Sequence, residues 1–124
     1  METLPQKQVL WISRHTMTTA QREDLERIMG GAVCLTTWLD TVTDMEALRP
    51  LVEQVDAIAA VLPAEKMSQL LELAESRPVL QAVSERRPTG QWTVLPDGRR
   101  EPEFAFVHRE WRQVLEIRVR TRRL

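Results

Sequence analysis

The apolar run Val9-Leu10-Trp11-Ile12 breaks off into Ser13-Arg14-His15-Thr16, and this junction constrains the fold more than any other feature of the chain. Four consecutive apolar residues without alternation suit a strand buried on both faces. Thr18 then opens a capping-box pattern with Gln21, and Ala20, Leu25, Ile28 and Met29 recur at helical spacing before Gly30-Gly31 ends the helix. Strand, polar loop and helix therefore follow one another within Val9 to Gly31. Amides at the start of such a helix lack internal partners and carry the positive end of the dipole, so residues 13 to 18 form a candidate anion site. In open α/β sheets, ligands gather at the carboxyl ends of strands, where this loop falls. The same residues also serve structure alone, since threonines cap helices and Arg-His pairs decorate solvated loops.

The remaining pattern repeats the alternation. Ala32 to Trp38 predicts a second strand, followed by Asp40, Thr41, Thr43 and Asp44 as turn and cap residues. Met45, Leu48, Leu51, Val52 and Val55 have helical spacing, and Pro50 either opens that helix or kinks it. Ala57 to Leu62 predicts a central parallel strand, Ala64 to Ser76 an amphipathic helix, and Pro78 to Val83 a fourth strand. Ser84 to Gly90 predicts a loop on the same rim as residues 13 to 18. Beyond it, Trp92 to Leu95 and Phe104 to Val107 flank the turn signal Pro96-Asp97-Gly98, and Val114 to Thr121 alternates apolar residues with Glu116, Arg118 and Arg120. The expectation is a Rossmann-like three-layer α/β sandwich, its parallel strands ordered 2-1-3-4 or a close variant, extended by antiparallel strands from about residue 91 onward. A chain of 124 residues forms one such domain.

Charge and composition narrow the function. The net charge of -1 conceals six basic and twelve acidic residues in 1–76 against eleven basic, all arginine, and six acidic in 77–124. Arginines suit forked contacts to phosphate or carboxylate, and equally keep an edge strand from aggregating. No signal peptide or membrane-length apolar run is present, which predicts a soluble, cytoplasmic protein without membrane contact. Cys34, the single cysteine, reads as a small buried side chain, and Cys34, His15 and His108 have no metal-binding spacing. The first loop contains no glycine, which excludes a dinucleotide site of the glycine-rich type; no cofactor and no metal are expected. Exposed Trp92 and Trp111 and the arginine strand are candidate partner contacts.

Ile12-Ser13-Arg14-His15 resembles the histidine phosphatases, in which the histidine would be the phosphorylated nucleophile. Thr16 replaces that family's glycine, however, and no second Arg-His pair exists. Over residues 9 to 29, and architecturally to about residue 90, the chain is similar to the small stand-alone ring nucleases of type III CRISPR systems, relatives of the CARF domains. That resemblance implies a homodimer that binds a cyclic oligoadenylate, not a long nucleic-acid duplex, across its two-fold axis. It also implies metal-independent cleavage by attack of a ribose 2'-hydroxyl on its own phosphate. Ser13, Arg14 and His15 would be the catalytic residues, with Thr16, Thr18, Arg86, Arg87 and Thr89 contacting the ligand. A module that binds such a ligand without cleaving it would share these residues.

Overall fold

The computed structural model describes residues 6–124. Of the polar lead from Met1 to Gln8, residues 1–5 lie outside that range, while Lys7 and Gln8 already belong to the first strand. The elements run β1 (Lys7–Ile12), α1 (Thr19–Met29), β2 (Val33–Trp38), a 3-10 turn (Met45–Leu48), α2 (Arg49–Val52), β3 (Ala57–Ala60), α3 (Ala64–Ala74), β4 (Val79–Val94) and β5 (Arg100–Gln113). Five strands form one mixed sheet in the order β2-β1-β3-β4-β5, parallel throughout except for the β4–β5 pair. The expected 2-1-3-4 order of the parallel strands is therefore present.

Each central strand is buried on both faces, which explains the absence of alternation in its sequence. Leu10, Ile12, Ile58, Ala60 and Val79 pack with Leu48 and Val52 and with Met67 and Leu70 of α3. Their neighbours Val9, Trp11, Ala57, Ala59 and Leu80 pack on the opposite face with Leu25 of α1 and with Trp111. Helices thus cover both faces of the sheet. Fully burying a large aliphatic side chain of this kind contributes about 1.5–3 kcal/mol.

The ends of α1 follow the sequence closely. Thr18 Oγ1 accepts from the Gln21 amide at 3.1 Å while the Thr18 amide donates to Gln21 Oε1 at 2.9 Å. Gly30 closes the helix at φ 80°, a left-handed conformation that disfavours any residue with a Cβ. Pro50 lies in the first turn of a four-residue helix, so it opens that helix and does not kink a longer one. Asp44 caps the preceding turn through the Glu46 amide at 3.1 Å.

Several expectations need correction. Ser84 to Gly90 is not a loop: β4 runs without interruption from Val79 to Val94. Only Val79 to Gln81 pair with β3, so beyond them β4 and β5 continue as a two-stranded arm. Pro88 and Gly90 are absorbed by an irregularity in which residues 89–91 oppose only Glu103, and Gly90 there adopts φ 86°. The expected short strands 92–95 and 104–107 are portions of this one arm, which turns at Pro96-Asp97-Gly98 as the sequence indicated. Val114 to Thr121 is not a strand; Val114 and Ile117 instead pack against the helices α2 and α3 side of the core. Trp111 is buried, at 7% exposure, so it is a core residue and not a surface contact. Cys34 is only half-buried. Among the described residues no helix is long and apolar enough to cross a membrane.

Candidate functional site

The loop after β1 is fixed by the strand that precedes it. Trp11 is buried among core residues and satisfies its indole N–H by donating to the His15 carbonyl at 2.9 Å. Ser13, buried to 5% exposure, donates its amide to the Trp38 carbonyl at 3.1 Å and accepts the His15 amide on Oγ at 3.1 Å. Both ends of the turn are therefore tied to the sheet, whereas the Arg14, His15 and Thr16 side chains remain exposed.

A cleft of about 760 Å³ opens beside this loop. Ser13, His15, Thr16 and Thr18 form one wall, and Val61, Ala82, Ser84, Phe106 and His108 contribute to the others. The first group belongs to the end of β1 and the start of α1; the second, which mixes apolar side chains with Ser84 and His108, belongs to the end of β3 and the base of the arm. Thr18 is spent on the capping box, which also occupies the Gln21 amide, so an anion at the helix start would meet the amides of Thr19 and Ala20.

Arg14 points to a different place from His15. It lines a recess of about 240 Å³ with Asp40, Thr41, Leu62 and Lys66, and the two depressions share Ser13 and Val61. The arginines of the arm do not line the cleft either. Arg86 lies 3.7 Å above the centre of the Phe104 ring, Arg87 pairs with Glu85 at 3.0 Å, and Thr89 sits in the arm's irregularity with Oγ1 donating to the Glu103 carbonyl at 3.4 Å. Of the eight sequence-predicted residues, Ser13, His15, Thr16 and Thr18 share the cleft, and Arg14, Arg86, Arg87 and Thr89 do not.

The cleft also contains a histidine that sequence reasoning passed over. His108 is 5% exposed at its side chain, and its Nε2 donates to Asp24 Oδ2 at 2.8 Å. The hydrogen bond from His108 is the main reason the Asp24 carboxyl is held below its ordinary value; Arg27 acts in the same direction and partial burial opposes both. The missed signal was the spacing of Phe104, Phe106 and His108, which places three rings on one face of a strand. Among the described residues no three or more His, Cys, Asp or Glu side chains gather as a metal site would require.

Fold and site together define an α/β protein with a cleft at the carboxyl ends of its parallel strands. The chain matches no protein-family model, no curated protein and no solved structure.

Proposed function

We propose that the cleft binds a phosphodiester of nucleotide type, and that its ligand is the cyclic oligoadenylate implied by the resemblance over residues 9 to 29. The carrying observation is the mixed lining of the cleft: one part holds a buried serine, an exposed histidine and a helix start, and the rest includes apolar side chains, among them an exposed phenylalanine. Phosphate on the first part and a base against the rest would satisfy both. The parallel order and the helices on both faces support reading the chain as a Rossmann-like, CARF-like domain. Small-molecule sites span about 300–1,000 Å³, so one cleft suits part of a ring, and two copies around a two-fold axis would share the whole. A homodimer acting in the cytoplasm belongs to the same proposal.

Cleavage would proceed by attack of a ribose 2'-hydroxyl on the adjacent phosphorus, leaving a cyclic phosphate and a 5'-hydroxyl. Ser13 and the helix amides would hold the phosphate in line, and His15 would transfer a proton. Binding without cleavage is the second reading, favoured by one observation: Arg14, the cation adjacent to His15 in sequence, lines the neighbouring recess and not the cleft. Incubation with cyclic tetra- and hexa-adenylate in EDTA separates these. Linear products ending in a cyclic phosphate support the nuclease, stable binding without product supports the sensor, and neither binding nor product overturns both.

A further inference from the structure

His108 lines the cleft, and the proposed site leaves its chemistry unused. It sits on β5 between Phe106 and Trp111, with Ser84 opposite it on β4 and its ring 5.6 Å from that of Trp111. Its Nε2 is committed to Asp24, and because a carboxylate only accepts, the proton lies on Nε2. Neutral His108 therefore carries its lone pair on Nδ1. That atom is buried and has no hydrogen-bond partner among the described residues. An unsatisfied buried polar atom costs folding free energy, and in a residue that lines a cleft a ligand group is the natural partner. Nδ1 is shielded, so a ligand hydroxyl reaches it through a side-chain adjustment; the highly exposed Phe106 lines the same cleft.

We propose that His108, oriented by Asp24, is a second proton-transfer residue of the cleft and works opposite His15. The inference rests on the phosphodiester reading above and adds a division of labour to it. His108 Nδ1 takes the proton of the ribose 2'-hydroxyl as that oxygen bonds to phosphorus. The bond from phosphorus to the 5'-oxygen breaks, and protonated His15 gives its proton to the departing 5'-oxygen. The products are a 2',3'-cyclic phosphate and a 5'-hydroxyl, with no water, metal or oxidant consumed; solvent exchange resets both imidazoles. Asp24 fixes the tautomer that leaves Nδ1 free and stabilises the imidazolium that forms there, while touching no substrate itself. Asp24 is thus a positioning residue.

A purely structural role predicts something else, because the same pair also ties α1 to β5. A clasp would affect stability without affecting the shape of the pH–rate profile. Among the described residues, the charged groups at His108 are Asp24, bonded to its Nε2, and Arg27, which pairs with Asp24; His15 lines the same cleft.

The test measures cleavage of cyclic tetra-adenylate against pH for wild type, His108→Asn and Asp24→Asn, with direct binding of the same probe and thermal unfolding of each protein. The expected result for His108→Asn is retained binding, a rate loss of about 10²- to 10⁴-fold, and disappearance of the acidic limb, where a base is lost to protonation. Asp24→Asn, which removes the acceptor that orients the ring, keeps binding and lowers the rate of cleavage. If His108→Asn fails to fold, Asp24→Asn decides alone: a rate loss with binding retained supports the inference, and a wild-type rate overturns it. Full activity with both limbs intact in a folded His108→Asn overturns the inference and leaves the ring-nuclease reading standing. Wild-type binding without cleavage overturns the catalytic role of His108 and leaves the sensor reading, and failure of wild type to bind or cleave overturns every level at once.

Discussion

Trp11 and Trp111 meet edge to face, their ring centroids 5.9 Å apart and their planes at 81°. One belongs to the first strand and the other to the last, so this contact ties the β4–β5 pair to the centre of the sheet and to α1. Trp111 adds a hydrogen bond from its indole N–H to the Gln21 carbonyl at 3.0 Å. Truncating a buried tryptophan typically costs about 3–5 kcal/mol. Trp111→Ala should destabilise by that order, whereas Trp92→Ala, at a position 54% exposed on the arm, should stay within about 0.5 kcal/mol of wild type. Urea unfolding of the two variants measures the contrast; equal losses would show that the arm packs on something else.

Thr18 serves the helix before it serves any ligand. Its hydroxyl and its amide are both engaged in the capping box with Gln21. Thr18→Ala should therefore cost about 1 kcal/mol by loss of the cap, while Thr18→Ser should retain nearly all of it. Thermal denaturation reports both, and a stability loss shared equally by Ser and Ala would point to the methyl group rather than the hydroxyl.

The parts of the fold that were legible in the sequence are those specified by neighbouring residues. Thr18 with Gln21 and Gly30 set the ends of α1, and the unbroken apolar runs identified β1 and β3 as strands covered on both faces. The arm was not legible because Arg86-Arg87-Pro88-Thr89-Gly90 has the composition of a turn. Pro88 is tolerated there because β4 pairs with β5 alone at that height, and Gly90 supplies the positive φ that the irregular register requires. Within the cleft, Ser13 and His15 were visible from their place at a strand end. His108 was marked only by its alternation with Phe104 and Phe106 on one strand face, and its partner Asp24 lies 84 residues away, beyond the reach of any local pattern. Arg14 was assigned with His15 because they adjoin in sequence, yet consecutive residues in a turn diverged into separate depressions.

Acid should weaken the α1–β5 clasp. The Asp24 carboxyl is depressed from its ordinary value of 3.8, so the folded state binds a proton there less readily than the unfolded chain. Its stabilising contribution is accordingly complete above the ordinary value and is lost as pH falls through the depressed one. Chemical denaturation of wild type and Asp24→Asn between about pH 2 and pH 6 should show the stability gap fully open at the upper end and closing toward the lower. A gap independent of pH would mean that the charge of Asp24 contributes nothing to the clasp.

The exposed side chains of Arg14 and His15 separate binding from chemistry. His15→Ala should leave stability near wild type, because an exposed loop histidine buries little, and its backbone bonds to Ser13 and Trp11 do not depend on the imidazole. Its cleavage of cyclic tetra- or hexa-adenylate should fall by about 10²- to 10⁴-fold, the usual range for loss of one proton-transfer group, while binding persists. Arg14→Ala should do the reverse. A ring extending from the cleft across Ser13 into the recess would present phosphate to Arg14 and Lys66, so removing Arg14 should weaken binding at low salt. The deficit should shrink as salt rises, since screening already diminishes the contact being removed. Binding titrations at two ionic strengths and single-turnover cleavage measure the two effects. An Arg14→Ala protein that binds like wild type at both would confine the ligand to the His15 side of Ser13, and a His15→Ala protein with full cleavage would remove the histidine from the chemistry altogether.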